Sequence, residues 1–432
     1  MLSATSFVHP RDEILATIAR IYRYRMTTTS GGNISIREPN GDIWITPARV
    51  DKGSLRREDI VLVRDDGTVE GLHRPSSEFP FHLAIYKARP DLRGIVHAHP
   101  VALVAFSMVH RVPDTRLFHQ ARTVCGEVGF AKYELPGSEA LGASVAGIFT
   151  QGCESVILEN HGVVTGGVTL QEAFHRFETL EFAGKTVIKG SMLGEVKYLD
   201  DEALTKPVQR SGDMETFERF SVSSAEKEAR RELCEFVQRA YRQRLIISTQ
   251  GSFSVRLDES SFLMTPYRVD RASLVPADLV LVKDGKAEAG ALPSRAAHMH
   301  DAIYRKHPSV HAVINAYPVN ATAFSVTGTR LDSHTIPESY VVLRNVGQAR
   351  YGLQFADLDE LTGLITDMSP SLLLENDGAL VTGASLLEAF DRLEVMESTA
   401  EAIINSKAIG TLSKMPEEVI RDLDRVFLKR GM

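Results

Sequence analysis

His97 and His99 stand two residues apart in the stretch Gly94-Ile-Val-His-Ala-His-Pro100, behind a short apolar run. On a strand, side chains alternate between faces, so both imidazoles point the same way and can converge on one metal ion. On a helix the same spacing would set them about 200° apart. A chain with 14 histidines can also carry such a pair by chance. Two further stretches strengthen the metal reading: Pro75-Ser-Ser-Glu78 upstream and Glu159-Asn-His-Gly162 downstream. Together they offer three imidazoles and a carboxylate, a typical zinc ligand set.

The elements that must hold these residues occur twice. Trp44-Ile-Thr-Pro-Ala-Arg-Val-Asp51 recurs as Leu263-Met-Thr-Pro-Tyr-Arg-Val-Asp270, an offset of 219 residues. Leu158-Glu-Asn-His-Gly-Val-Val-Thr-Gly166 recurs as Leu374-Glu-Asn-Asp-Gly-Ala-Leu-Val-Thr-Gly383 at an offset of 216, read with one inserted residue. A period of half the chain indicates a duplicated domain, residues 1–210 and 211–432, with a polar linker at 205–213. Each copy opens on an amphipathic helix. Ile14, Leu15, Ile18 and Ile21 share one face behind Pro10, and Ser223 with Glu226 forms a capping box. Short strand signals follow at 33–37, 42–45 and 59–63, then a helix over 78–88, the His97 strand, a strand at 155–158 and a long helix capped by Thr169. Strict strand–helix alternation is missing. The pattern predicts α/β domains around a mixed or antiparallel sheet.

Ser30-Gly-Gly-Asn-Ile-Ser35, Thr46-Pro47, Pro75-Ser-Ser-Glu78, His97-Ala-His-Pro100 and Glu159-Asn-His-Gly162 resemble, in order and spacing, the signature series of the class II aldolase/adducin family. The resemblance covers residues 10–200; the second copy, about 225–410, resembles the family in framework only. It implies two tandem three-layer α/β/α domains, each around a mixed, largely antiparallel sheet. It also implies ring-shaped assemblies with sites between neighbours, so that a dimer of chains forms a pseudo-fourfold ring, or a tetramer forms. By the same matching, His97, His99 and His161 bind a divalent ion, usually Zn2+, with Mn2+, Fe2+ or Co2+ as alternatives. Glu78 is the acid–base carboxylate, and Asn33, Ser76 and Ser77 fall where the aldolases hold a substrate phosphate.

The chemistry follows from the residue types. Carbon–carbon cleavage beside a ketone leaves an enediolate, which a divalent ion stabilises as a Lewis acid. A nearby carboxylate must move the proton; Glu78 can otherwise be read as an acid placed for a helix dipole. Two departures from the aldolase pattern stand out. After Thr46-Pro47 the chain reads Ala48-Arg49, and Arg49 can pair with an anion in a bidentate fork or serve the framework, since Arg268 repeats it. Where the aldolases carry a tyrosine proton donor, the chain has Phe118-His119; His119 is either a donor or a loop histidine without a task. In the second copy Ala296, Asn315, Tyr317 and Asp377 replace Glu78, His97, His99 and His161. That copy is expected to be a scaffold.

Composition narrows the class. A net charge of −7 leaves no basic excess for nucleic acid, and no apolar run reaches the length of a membrane span. The N-terminal residues lack a signal-peptide pattern, and Cys125, Cys153 and Cys234 give no disulfide framework. A cytoplasmic protein acting on a small molecule is expected, without nucleic-acid or membrane partners. The first expectation is a divalent-metal-dependent lyase with an N-terminal catalytic half, cleaving a small sugar phosphate or related hydroxyketone. A decarboxylase of a 3-oxo acid, a non-catalytic adducin-like scaffold and an iron-dependent oxygenase are the alternatives.

Overall fold

The computed structural model describes residues 7–209 and 214–428. By its contacts the chain forms two compact units, Met1–Thr115 with Gln120–Lys185, and Arg116–His119 with Thr186–Met432. The division therefore falls at Lys185 for the main chain path, whereas the sequence pointed to 210. The expected linker is helical over Asp201–Gln209, and 210–213 lie outside the described residues. Beyond Lys185 the long helix packs with the second unit, where Gly190 lies against Val326 and Thr327.

The first unit begins with α1, Pro10–Arg23. His9 caps it through Nδ1, which accepts the Arg11 N–H at 3.1 Å, and Pro10 occupies the first turn. Its buried stripe is Ile14, Ile18 and Ile21; Leu15 is half-buried beside it. There follow β1 (Asn33–Arg37), β2 (Ile43–Ile45), β3 (Val61–Val63), β4 (Val69–Glu70), α2 (Phe79–Ala88), β5 (Gly94–Ala98), α3 (Val101–Met108), α4 (His119–Cys125), β6 (Val128–Ala131), α5 (Glu139–Thr150), β7 (Ser155–Leu158), β8 (Gly162–Gly167) and α6 (Leu170–Ser191). Thr169 Oγ1 caps α6 by accepting the Glu172 N–H at 3.1 Å.

The sheet order is β4-β3-β2-β1-β5-β8-β7-β6, antiparallel except for the β6–β7 pair. Alternation along β5 places a core on each face. Val96 and Ala98 join Ile14, Ile18, Phe174 and Phe177 of α1 and α6. Ile95 joins Phe81, Ile85, Leu141 and Val145 of α2 and α5. Helices thus cover both faces, the three-layer arrangement, and each fully buried Ile or Phe contributes about 1.5–3 kcal/mol.

The second unit repeats this plan with β9 (Thr216–Phe217), β10 (Ser252–Arg256), β11 (Ser261–Met264), β12 (Val280–Lys283), β13 (Lys286–Glu288), β14 (Ala312–Ala316), β15 (Val346–Ala349), β16 (Ser371–Leu374) and β17 (Gly378–Gly383). Its order is β15-β16-β17-β14-β10-β11-β12-β13-β9, again mostly antiparallel. Strand register corrects one reading of the repeat. His97 pairs with Val164 in β5–β8, and Asn315 pairs with Leu380 in β14–β17. Both final strands are six residues long, so no residue is inserted. The Thr-Gly pair is merely displaced by one position.

Candidate metal centre

Three elements bring the ligand set together at one end of β5. His97 is on β5, fully buried, and His99 follows just past the strand end. His161 sits in the tight turn between β7 and β8, where Asn160 adopts φ 53° and the His161 N–H donates to Leu158 O at 3.1 Å. Glu78 occupies the N-cap of α2 and is buried. The His97–His99, His97–His161 and His99–His161 ring centroids are 4.9, 4.9 and 5.0 Å apart. One nitrogen from each ring lies within 4.8 Å of the other two. Among the described residues, no other group of three His, Cys, Asp or Glu side chains brings its ligand atoms so close.

Glycines make room for this convergence. Gly32 has φ 72°, and a Cβ there would lie 2.8 Å from the His97 carbonyl oxygen. A Cβ at Gly162 would lie 2.6 Å from Ala98 O and 2.7 Å from His99 Cδ2. Both motif glycines are therefore required by close approach to the ligand strand.

The donor chemistry fits a cation. His97 Nδ1 lies 2.9 Å from Val163 O, which can only accept, so Nδ1 carries the proton and Nε2 presents its lone pair. That Nε2 faces His99 Nε2 at 3.1 Å and Glu78 Oε2 at 3.1 Å. Glu78 Oε1 lies 3.4 Å from His161 Nε2, and this buried oxygen has no hydrogen-bond partner. Lone pairs and a carboxylate directed at one point call for positive charge between them. Burial, reinforced by the neighbouring His97, lowers the pKa of His99 to about 3 and that of His161 to about 4, which keeps both rings neutral and ready to ligate. Burial alone would raise Glu78; positive charge at the His97 and His161 rings, whether a proton or a held cation, together with the Asn33 amide reverses this and holds it well below the usual carboxylate range.

Of the other residues singled out by sequence, Asn33 is buried opposite His97 in the β1–β5 register. Its Nδ2 donates to Glu78 Oε2 at 2.7 Å. Ser76 is buried and its Oγ accepts the Glu78 N–H at 3.3 Å. Ser77 and Arg49 are exposed, and Arg49 sits at φ 57° without a side-chain hydrogen bond or ion pair among the described residues. His119 belongs to the second unit, where burial and the charge of Arg295 hold it at about 4. Sequence reasoning missed two buried groups. His82 bonds Asn33, and Lys52 donates to Pro47 O at 2.9 Å beneath the turn carrying Arg49. Burial holds Lys52 down at about 8.

At the equivalent place in the second unit, Tyr317 O–H donates to Asp377 Oδ1 at 2.7 Å, and Gln354 Nε2 donates to Oδ2 at 3.1 Å. Asn315 Nδ2 donates to Ala379 O at 3.2 Å. A hydrogen-bonded polar cluster stands where the first unit has its imidazoles, and burial raises the pKa of Asp377.

This fold defines a class of three-layer α/β proteins, here with a histidine set that could hold a metal, and the sequence comparisons give the family. The profile described as Class II Aldolase and Adducin N-terminal domain matches residues 12–188 and again 231–404, so the chain belongs to that family through two tandem copies. It is 31% identical over 198 residues to a 5-deoxy-D-ribulose 1-phosphate aldolase of Bacillus thuringiensis serovar kurstaki, covering 45% of this chain and 91% of that protein. An L-fuculose phosphate aldolase of Methanococcus maripaludis is 35% identical over 163 residues, 37% of this chain and 86% of that one. A 3-oxo-tetronate 4-phosphate decarboxylase of Escherichia coli is 28% identical over 195 residues, 44% of this chain and 90% of that one. A class II aldolase-type lyase is the activity these relatives support.

Proposed function

We propose that the first unit is a divalent-metal-dependent lyase that cleaves a carbon–carbon bond beside a carbonyl in a small sugar phosphate or related hydroxyketone. One observation carries the reading: three imidazoles converge, and a buried carboxylate oxygen without a hydrogen-bond partner lies 3.4 Å from one of them. A divalent ion held by His97, His99 and His161, with Zn2+ as first choice, supplies Lewis acidity toward the charge that develops on the carbonyl oxygen. Glu78 is the group that takes and returns the proton, since its carboxylate stands beside the imidazoles with Oε1 free of hydrogen bonds. Ser76 supports Glu78 from the preceding turn, and Ser77 and Arg49 are exposed groups available to a substrate anion. Decarboxylation of a 3-oxo acid phosphate is the second reading, favoured by the decarboxylase among the relatives and by the same developing charge.

The second unit serves as a scaffold in this reading, because Tyr317 and Asp377 are spent on each other. We assign the protein to the cytoplasm as a homo-oligomer, a dimer or tetramer of chains; no described helix is long and apolar enough to cross a membrane. Light scattering on the purified protein tests the assembly. For the activity, protein loaded separately with Zn2+, Mn2+, Fe2+ and Co2+ is assayed on L-fuculose 1-phosphate, 5-deoxy-D-ribulose 1-phosphate and 3-oxo-tetronate 4-phosphate. Metal-dependent release of an aldehyde or of carbon dioxide supports the reading, and no turnover across the panel removes it.

A further inference from the structure

His99 stands at a joint between two elements. β5 ends at Ala98, and α3 begins at Val101 behind Pro100. His97 lies inside the sheet, where β5 pairs with β1 on one side and β8 on the other. His99 lies past that pairing, so its backbone is set by where α3 begins.

α3 brings no cap of its own. Its N-cap residue is Pro100, which makes no side-chain capping bond, and the first N–H groups of a helix need an acceptor. The acceptor comes from α6. Glu181 Oε1 accepts the Ala102 N–H at 3.4 Å, and Oε2 accepts the Leu103 N–H at 3.2 Å. Lys185, one turn further along α6, pairs with Oε1 at 3.2 Å. The carboxylate is buried, and Gly184 lets the two helices close over it: a Cβ there would lie 3.2 Å from Leu103 Cδ2. Burial raises the Glu181 pKa, and the Lys185 ammonium and the two backbone N–H groups oppose that. A negative group at this end of α3 also suits the helix dipole.

The second unit supplies an internal comparison. Its helix Val319–Thr327 begins behind Pro318, again without a side-chain cap. Glu397, from the long helix Leu386–Ser406, accepts the Asn320 N–H at 3.0 Å and the Ala321 N–H at 2.8 Å, and also the Asn320 side-chain amide at 2.8 Å. Tyr317 occupies the joint that His99 occupies in the first unit, and its hydroxyl reaches Asp377 at 2.7 Å. The two copies differ in every metal-ligand position. They agree in placing a polar side chain at this joint and in fastening the joint with a carboxylate from the long helix.

We infer that Glu181 is a positioning residue for the metal centre: by tying the first turn of α3 to α6, it fixes the joint that presents His99. The inference rests on the three histidines holding a metal, as proposed above. Glu181 acts on His99 through the backbone, since its bonds go to α3 and to Lys185.

The matched pair Glu181→Gln and Glu397→Gln, made in the full-length protein, tests it. Each sets an amide NH2 against a helix N–H and loses one capping bond, so each should lower the urea midpoint of unfolding. Glu181→Gln should also lower zinc affinity about tenfold in a competitive chelator titration and alter the visible spectrum of the cobalt-loaded protein. Glu397→Gln should leave both at wild-type values. Wild-type zinc affinity and cobalt spectrum in Glu181→Gln, or an equal loss in Glu397→Gln, would make Glu181 a framework residue and overturn the inference. If Glu181→Gln does not fold, Lys185→Met decides: it leaves the carboxylate buried and unpaired, and zinc affinity should fall at least threefold, whereas unchanged affinity overturns the inference. A wild type that binds neither ion removes the metal centre and this inference with it; a wild type that binds zinc no better than Glu181→Gln removes the inference alone.

Discussion

Replacing Glu78 by glutamine keeps the side chain's length and removes its capacity to take a proton. The surroundings fix how the new amide must sit. Asn33 Nδ2 donates to Oε2 at 2.7 Å, so the glutamine oxygen takes that place, because the opposite orientation would set two NH2 groups against each other. The glutamine NH2 then stands where Oε1 was, 3.4 Å from His161 Nε2. The three imidazoles keep their backbone positions and His97 keeps its bond to Val163 O, so metal affinity is expected to fall by about 10–100-fold, which saturating metal overcomes. A positioned acid–base group contributes roughly 10²–10⁴-fold, and each factor of ten is about 1.4 kcal/mol of barrier, so the variant should lose about 3–5.5 kcal/mol of catalysis. The assay pairs elemental analysis with kcat on whichever panel substrate the wild type uses. A metal-loaded Glu78→Gln protein with kcat within threefold of wild type would refute the assignment of Glu78 as the proton-moving group.

Three further expectations follow from particular contacts. Gly162→Ala would push a methyl to within 3 Å of Ala98 O and the His99 ring, so zinc affinity should drop about tenfold or more in a competitive chelator titration. Ile18→Ala, in the fully packed face of α1, should cost about 2–5 kcal/mol of the first unit's stability in urea unfolding. His300 is buried completely and held at about 3, against about 6.5 when unfolded. Between those values the unfolded chain binds a proton that the native state refuses, so stability falls as pH falls, by up to about 1.4 kcal/mol per pH unit. His300→Gln removes that term, and its urea midpoint should decline less steeply than wild type from pH 6.5 to 5; parallel slopes would show that His300 does not contribute.

The convergence of the three histidines was legible because their spacing is local. His97 and His99 need only strand alternation to converge, and the tight Glu159–Gly162 turn brings His161 back beside them. The layered α/β fold followed from the order of elements and the duplication. The Asn33–His82 contact was not read, although its surroundings carry regular spacing: Asn33 and Ser35 alternate on β1, and Glu78, His82 and Tyr86 recur every four residues. Such spacing equally describes a packed face, and the choice depends on the β1–β5 register, a contact between residues some sixty positions apart in sequence (Asn33 and His97). The inserted residue was misread for the same reason, since Thr-Gly pairs can slide in sequence while strand pairing keeps Gly167 and Gly383 at matching ends. The unit boundary moved because α6 is one unbroken helix over Leu170–Ser191, and sequence cannot tell which unit its last turns join.

We propose that one unit holds a metal and that the other has replaced it with hydrogen bonds. Elemental analysis of the full chain, stripped and reconstituted with Zn2+, tests this most directly. One ion per chain is expected, falling to none in His97→Ala, with Asp377→Ala in the second unit leaving the count unchanged. Two ions per chain, none after reconstitution, or one ion retained in His97→Ala would contradict it.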